Sequence, residues 1–142
     1  MATTETRFTF GTRLPQPIAV VRPDVEAALQ AEGFGVLTEI DVQATMKAKP
    51  GVDQEPYLIL GACYPQLAHR ALEAEPAIVA LLPCNVVLRA DGLGTVVEVM
   101  DPEAVLALVD APAVAGNARE ARATLTRMVA ALEGSEAARV GG

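Results

Sequence analysis

The chain has only two thiols, Cys63 and Cys84, and each lies in a segment broken by proline: Gly61-Ala62-Cys63-Tyr64-Pro65 and Leu81-Leu82-Pro83-Cys84-Asn85. Both segments read as strand ends, where the backbone can present a side chain at a fixed angle. Cys63 stands just ahead of a predicted helix start. Unpaired N–H groups and the helix dipole would stabilise a thiolate there and lower the thiol pKa. The plainer reading is a small buried apolar side chain, a common fate of free cysteine. Cys84 follows a proline inside a strand-prone run, and its neighbour Asn85 offers both a donor and an acceptor. Twenty residues separate the two cysteines, so they form no C-x-x-C redox motif. Whether they meet depends on which strands pair.

Other chemistry is sparse. Glu39 and Asp41 straddle a predicted strand end, and with Lys47 or Lys49 on the next element they could form a polar cluster that positions a ligand. Asp41 also reads as a plain helix cap. The candidate binding residues are therefore Glu39, Asp41, Lys49, Cys63, Cys84 and Asn85. Zinc would want three or four ligands, and the one histidine, His69, lies beside Arg70 and near Glu73, so no metal site is expected. Gly92 and Gly94 are turn residues, because no G-x-G-x-x-G opens a helix after a strand. No Ser-His-Asp set is present, no cofactor is implied, and no reaction is assigned.

The elements that must position these residues come from a chain of 142 residues, 51% hydrophobic and only 4% aromatic, read as one domain with a core of Ala, Val and Leu. A net charge of −7 opposes nucleic acid and anionic membrane surfaces. No apolar run approaches the roughly 20 residues of a membrane-spanning helix, and the start lacks the basic-then-apolar pattern of a signal peptide. The expected setting is the cytoplasm, with reduced cysteines.

Residues 1–6 and 135–142 are read as flexible ends. Period-two alternation predicts a first strand over 7–12. Ile18, Val21, Val25, Ala28 and Leu29 fall on one face of a helix ending at Gly33, bent at Pro23. A second strand spans 34–40, and Asp41 caps a short helix over 42–49. A third strand spans 57–62, apolar enough to suggest burial on both faces. Helix 66–75 follows Pro65. Ile78 to Leu88 reads as a strand interrupted at Pro83, and a hairpin turn at Asp91-Gly92 leads to a strand over 95–99. Asp101-Pro102 opens a helix through Val109, and an Ala-rich helix over 114–132 ends at Gly134. This order predicts an α+β fold: a two-layer sandwich with a mixed or mostly antiparallel sheet and helices on one face.

The run from Glu32 to Asn85 carries several motifs in order. They are Gly33-Phe34-Gly35-Val36-Leu37-Thr38-Glu39-Ile40-Asp41-Val42, then Lys47 or Lys49, then Ile59-Leu60-Gly61-Ala62-Cys63-Tyr64-Pro65. Leu67-Ala68-His69-Arg70-Ala71-Leu72 and Leu81-Leu82-Pro83-Cys84-Asn85-Val86 complete the series. In this it resembles the prokaryotic family called domain of unknown function 302, and the resemblance extends through Asp101-Pro102 to the last helix. It implies a small α+β domain, often a homodimer, without an established activity, so no catalytic residue carries over. It also implies that Asp41, Cys63, Pro83, Cys84 and Asn85 fall in one region. The family pattern usually has Asn where this chain has Tyr64, which removes a good helix cap.

Three functions stay open on these residues. The first is a homodimeric small-ligand-binding module with a pocket near Asp41, Cys63 and Cys84. The second is a thiol-based redox or sulfur-handling protein using Cys63 and Cys84, which requires their Cα atoms within about 7 Å and an accessible sulfur. The third is an assembly domain with buried, unreactive cysteines and an extensive apolar interface.

Overall fold

Alternating β-branched and Leu positions build one antiparallel sheet of six strands. The computed structural model describes residues 2–141. The strands are β1 (Ala2–Glu5), β2 (Thr9–Leu14), β3 (Gly35–Asp41), β4 (Tyr57–Cys63), β5 (Cys84–Asp91) and β6 (Gly94–Met100). Their order across the sheet is β1-β2-β6-β5-β4-β3, and every neighbouring pair is antiparallel. Register aligns the apolar positions in rows: Phe10, Val99, Val86 and Leu60 face one another in turn, and Val97, Leu88 and Leu58 form the next row.

Helices α1 (Ile18–Ala31) and α5 (Pro112–Gly141) cover those rows. Val21, Val25 and Leu29 from α1 and Leu125, Met128 and Leu132 from α5 join the same buried cluster. Each fully buried Leu or Val contributes about 1.5–3 kcal/mol, so this seam between two helices and a sheet holds the fold. The fold is thus the expected two-layer α+β arrangement. The other face of the sheet carries Ile40, Ile59, Val87, Arg89 and Glu98, and neither α1 nor α5 covers it. Burial of the third strand on both faces is corrected accordingly: Leu60 is buried, whereas Ile59 is only half-buried.

A second, smaller cluster joins α3 (Pro65–Ala74), the 3-10 turn Pro76–Leu81, α4 (Pro102–Leu106) and the start of α5. Its buried members are Ala71, Ile78, Leu106, Val114 and Ala118. The short helix α2 (Val42–Ala48) follows β3 and has no buried residue.

Several boundaries differ from expectation for physical reasons. Residues 2–5, read as a flexible end, pair with β2 as an edge strand. Residues 78–81, read as strand, form the 3-10 turn, and β5 begins only at Cys84, after the cis Leu82–Pro83 bond. The last helix does not stop at Gly134. It continues to Gly141, where buried Glu136 accepts from Gln16 Nε2 and Arg139, and Arg139 also reaches Asp24. Met1 and Gly142 lie outside the described residues. Helix α1 does run through Pro23, as expected. It closes at Gly33, whose φ of +90° suits glycine, with the Phe34 N–H donating to Leu29 O in a Schellman-type ending.

Candidate functional site

β4 ends at Cys63 and β5 begins at Cys84, and the register places Ala62 directly opposite Cys84. Cys63 is therefore one residue along from that pair. An inter-strand Cα spacing of about 5 Å and a rise of about 3.4 Å per residue put the two Cα atoms about 6 Å apart. Both are free thiols, Cys84 buried and Cys63 half-buried.

These strand ends meet the seam between the two apolar clusters, and packing leaves a cavity there. The sheet side contributes Phe34, Ala62 and Cys84, while Leu67, Ala71 and Leu106 close the helical side. About 50 Å³ is open to the centres of water-sized molecules. By that measure one water needs about 10–15 Å³, so the cavity admits several waters or the body of a small molecule. Half-buried Ala68 and Pro83 also line it. No lining residue is Asp, Glu, Lys, Arg or His.

Electrostatics follow from those walls. Burial, and then the nearby Cys63, push the Cys84 thiol up to about 11. Burial also pushes the Cys63 thiol up. The expected lowering by the α3 N-terminus is thus reversed, because loss of hydration penalises the anion more than the helix end rewards it. Near neutral pH both sulfurs are protonated.

Tyr64 occupies the N-cap position of α3 and makes no side-chain capping bond, as the replacement of Asn implies. Its ring instead packs edge-on against Phe34, with centroids 5.5 Å apart. It also lies over Gly33, where an added Cβ would come within 2.9 Å of the ring. Gly33 thus serves twice, by its left-handed φ and by giving Tyr64 room.

Asn117, which the sequence reading did not single out, completes the cavity wall from α5. It is 9% exposed, and its Nδ2 has no hydrogen-bond partner. Leaving a buried donor unsatisfied costs about 1–3 kcal/mol. A signal was available. Val114, Asn117, Ala118, Ala121 and Leu125 recur at helical spacing, which places the polar Asn117 on an apolar stripe.

The remaining candidates lie elsewhere. Gly35 faces Cys63 at one end of the β3–β4 pair, and Asp41 faces Leu58 at the other. Gly35 and Asp41 are six positions apart on the strand, about 20 Å at the usual rise. Asp41 caps α2 by accepting from the Ala44 N–H at 2.9 Å. Glu39 forms a two-pronged ion pair with Arg22 of α1. Lys49 is exposed at the end of α2, while Lys47 pairs with Asp53. Asn85, next to Cys84, is exposed and pairs with Gly61, so alternation turns it away from the helices. The expected single region therefore divides. Cys63, Pro83 and Cys84 share the cavity; Asp41, Glu39, Lys49 and Asn85 do not line it. Among the described residues no group of three His, Cys, Asp or Glu side chains could hold a metal ion. No described helix is long and apolar enough to cross a membrane.

The family model described as "Domain of unknown function DUF302" matches residues 10–132. Among solved structures, the chain is similar to the crystal structure of an uncharacterized conserved protein DUF302 from Bacillus stearothermophilus. That similarity has a TM-score of 0.82 at 24% identity, covering 89% of this chain and 99% of the other, and is a likeness of fold. No curated protein matches the chain.

Proposed function

This chain belongs to the DUF302 family, and we propose that it is a homodimeric protein that binds a small molecule in the cavity at Cys63, Cys84 and Asn117. One observation carries the reading: a nine-tenths-buried amide without a partner lies in walls that are otherwise apolar. Ligand sites commonly combine apolar walls with a few polar groups that fix orientation. The protonated thiols suit a role as soft, neutral wall atoms rather than nucleophiles. Two free thiols also fit the reducing conditions of a cytoplasm.

The dimer reading rests on the second face of the sheet. Ile40 is 49% exposed there, with Ile59 and Val87 half-buried beside it. Its charges are internally matched: Arg13 pairs with Asp91, and Arg89 with Glu98. A chain of net charge −7 meets least repulsion from its own copy across such a neutral face, which makes a second copy the occupant. Sedimentation is expected to give a dimer for the wild type and a monomer for Val87→Lys; a monomeric wild type would rule the dimer out.

The cavity is tested with a fragment library followed by amide NMR shifts. Binders are expected to move Ala62, Cys63 and Cys84, and to lose affinity in Ala121→Leu, which fills the space from α5. If no fragment perturbs these amides, or if filling the cavity leaves binding unchanged, the reading fails.

A further inference from the structure

We propose that Cys63 and Cys84 are a redox pair: hydrogen peroxide oxidises Cys63, and Cys84 then closes a disulfide with it at the cavity, taking the space away from a ligand. The disulfide goes beyond the cavity reading and is read out without any ligand.

Geometry carries the pairing. The register sets the two Cα atoms about 6 Å apart, inside the span of about 4.4–6.8 Å that disulfides take. Strict alternation would turn Cys63 away from Cys84. Cys63 is the last residue of β4, however, and both cysteines line the same cavity. Helix α3 begins two residues on, and Tyr64 between them makes no side-chain capping bond, so no cap pins the turn that carries Cys63. Cys63 also lies near enough to push the Cys84 thiol up further. The open volume beside both residues gives a sulfur room to swing without displacing a wall.

Exposure sets the order of events. Cys63 is half-buried and within reach of a small oxidant, whereas Cys84 is buried. The Cys63 thiolate attacks one peroxide oxygen and the O–O bond breaks, giving a sulfenic acid and, with the thiol proton, one water. The Cys84 sulfur then attacks the Cys63 sulfur. The S–O bond breaks, and the hydroxyl leaves with the Cys84 proton as a second water. Two thiols have given up two electrons and two protons, and one peroxide has become two waters. Walls without Lys, Arg or His favour this neutral product over a sulfinate, which would lose hydration with no cation to replace it. The same walls keep the resting thiols protonated, so the response is slow at neutral pH.

The test treats folded protein with excess hydrogen peroxide, quenches with catalase, and follows intact mass and a non-reducing peptide map. Wild type is expected to lose two hydrogens, to yield a Cys63–Cys84 linked peptide, and to regain both thiols with dithiothreitol. The rate is expected to rise about tenfold per pH unit above neutrality, as the thiolate fraction grows. Cys84→Ser is expected to stop at a Cys63 sulfenic acid that dimedone captures, and Cys63→Ser to keep its buried thiol. The wild-type map decides the pairing even where a serine variant fails to fold. Oxidised wild type is also expected to lose the fragment shifts at Ala62 that the reduced protein shows. The proposal is overturned if folded wild type keeps both thiols, if Cys63 runs on to sulfinic acid, or if disulfides form only between molecules. Should no fragment bind the reduced protein, the cavity reading falls by itself, and the mass result still decides the pair.

Discussion

The β3–β4 pair has two ends of opposite character, and each held candidate residues when read as sequence. At the Asp41 end three of the conspicuous charges have an evident structural role. Glu39 clamps Arg22, Asp41 caps α2, and Lys47 meets Asp53. These groups are largely exposed, and such pairs contribute little, about 0–1 kcal/mol each. At the Cys63 end the polar groups are few, buried and, in Asn117, unpartnered. A polar group that already has its partner and its water explains itself. A donor kept dry and unpaired costs stability and points to something that pairs with it.

The largest effect expected from this contrast is alkaline. A thiol held at about 11 in the fold against an ordinary value of 9.0 binds its proton more tightly when folded than when unfolded. Its contribution to stability is therefore complete below pH 9 and is lost as pH rises through 11. Two pKa units correspond to about 2.7 kcal/mol. Cys63 shifts in the same direction and adds to the loss. Chemical denaturation of wild type and Cys84→Ala across this range is expected to show a steeper alkaline loss in the wild type. Parallel curves would mean that Cys84 is no drier than the exposed end.

A smaller effect is expected at Gly61, where the bulge between Val36 and Thr38 in β3 meets the loop that carries Pro83. An added Cβ would lie 2.3 Å from Thr38 Oγ1 and 2.8 Å from Pro83 Cγ. The threonine can rotate, but the proline ring cannot yield without moving the strand start that carries Cys84. Gly61→Ala is expected to cost about 2 kcal/mol by overpacking and to shift the amide resonances of Cys84 and Leu82. A cost under about 0.5 kcal/mol, the usual range of surface changes, would show that the cavity rim is soft.

The sheet was legible because runs of β-branched residues such as Thr95 to Val99 favour strands, and the antiparallel layering followed from the hairpin at Asp91-Gly92. Ile78 to Leu81 misled because a short apolar run does not distinguish a strand from a tight helical turn. Gly134 looked like a helix end, a common place for glycine, yet the bonds of Glu136 and Arg139 to Gln16 and Asp24 carry the helix past it. The thiols were found by their rarity. Asn117 is hard to single out in an Ala-rich helix, where a polar residue on the apolar stripe shows only once that stripe is traced through several turns. The direction of the Cys63 shift was likewise hidden, since it depends on walls drawn from β4, α3 and α5 together.

The smallest expected effect sharpens the comparison from the other side. Asp41 is the carboxylate at its end that holds backbone in place. Its side chain accepts from the Ala44 N–H, while its own carbonyl accepts from Thr45 Oγ1. Asp41→Ala removes the first bond and keeps the second, a change that typically costs about 1 kcal/mol of cap energy. Asp41→Asn keeps an acceptor oxygen at the same place and is expected to recover most of that loss. Because the residue lies about 20 Å along the strand from the cavity, neither variant is expected to alter fragment shifts at Ala62 or Cys84. If Asp41→Ala instead abolished binding there while Asp41→Asn restored it, the two ends would form one coupled site. Their division into a structural end and a ligand end would then be wrong.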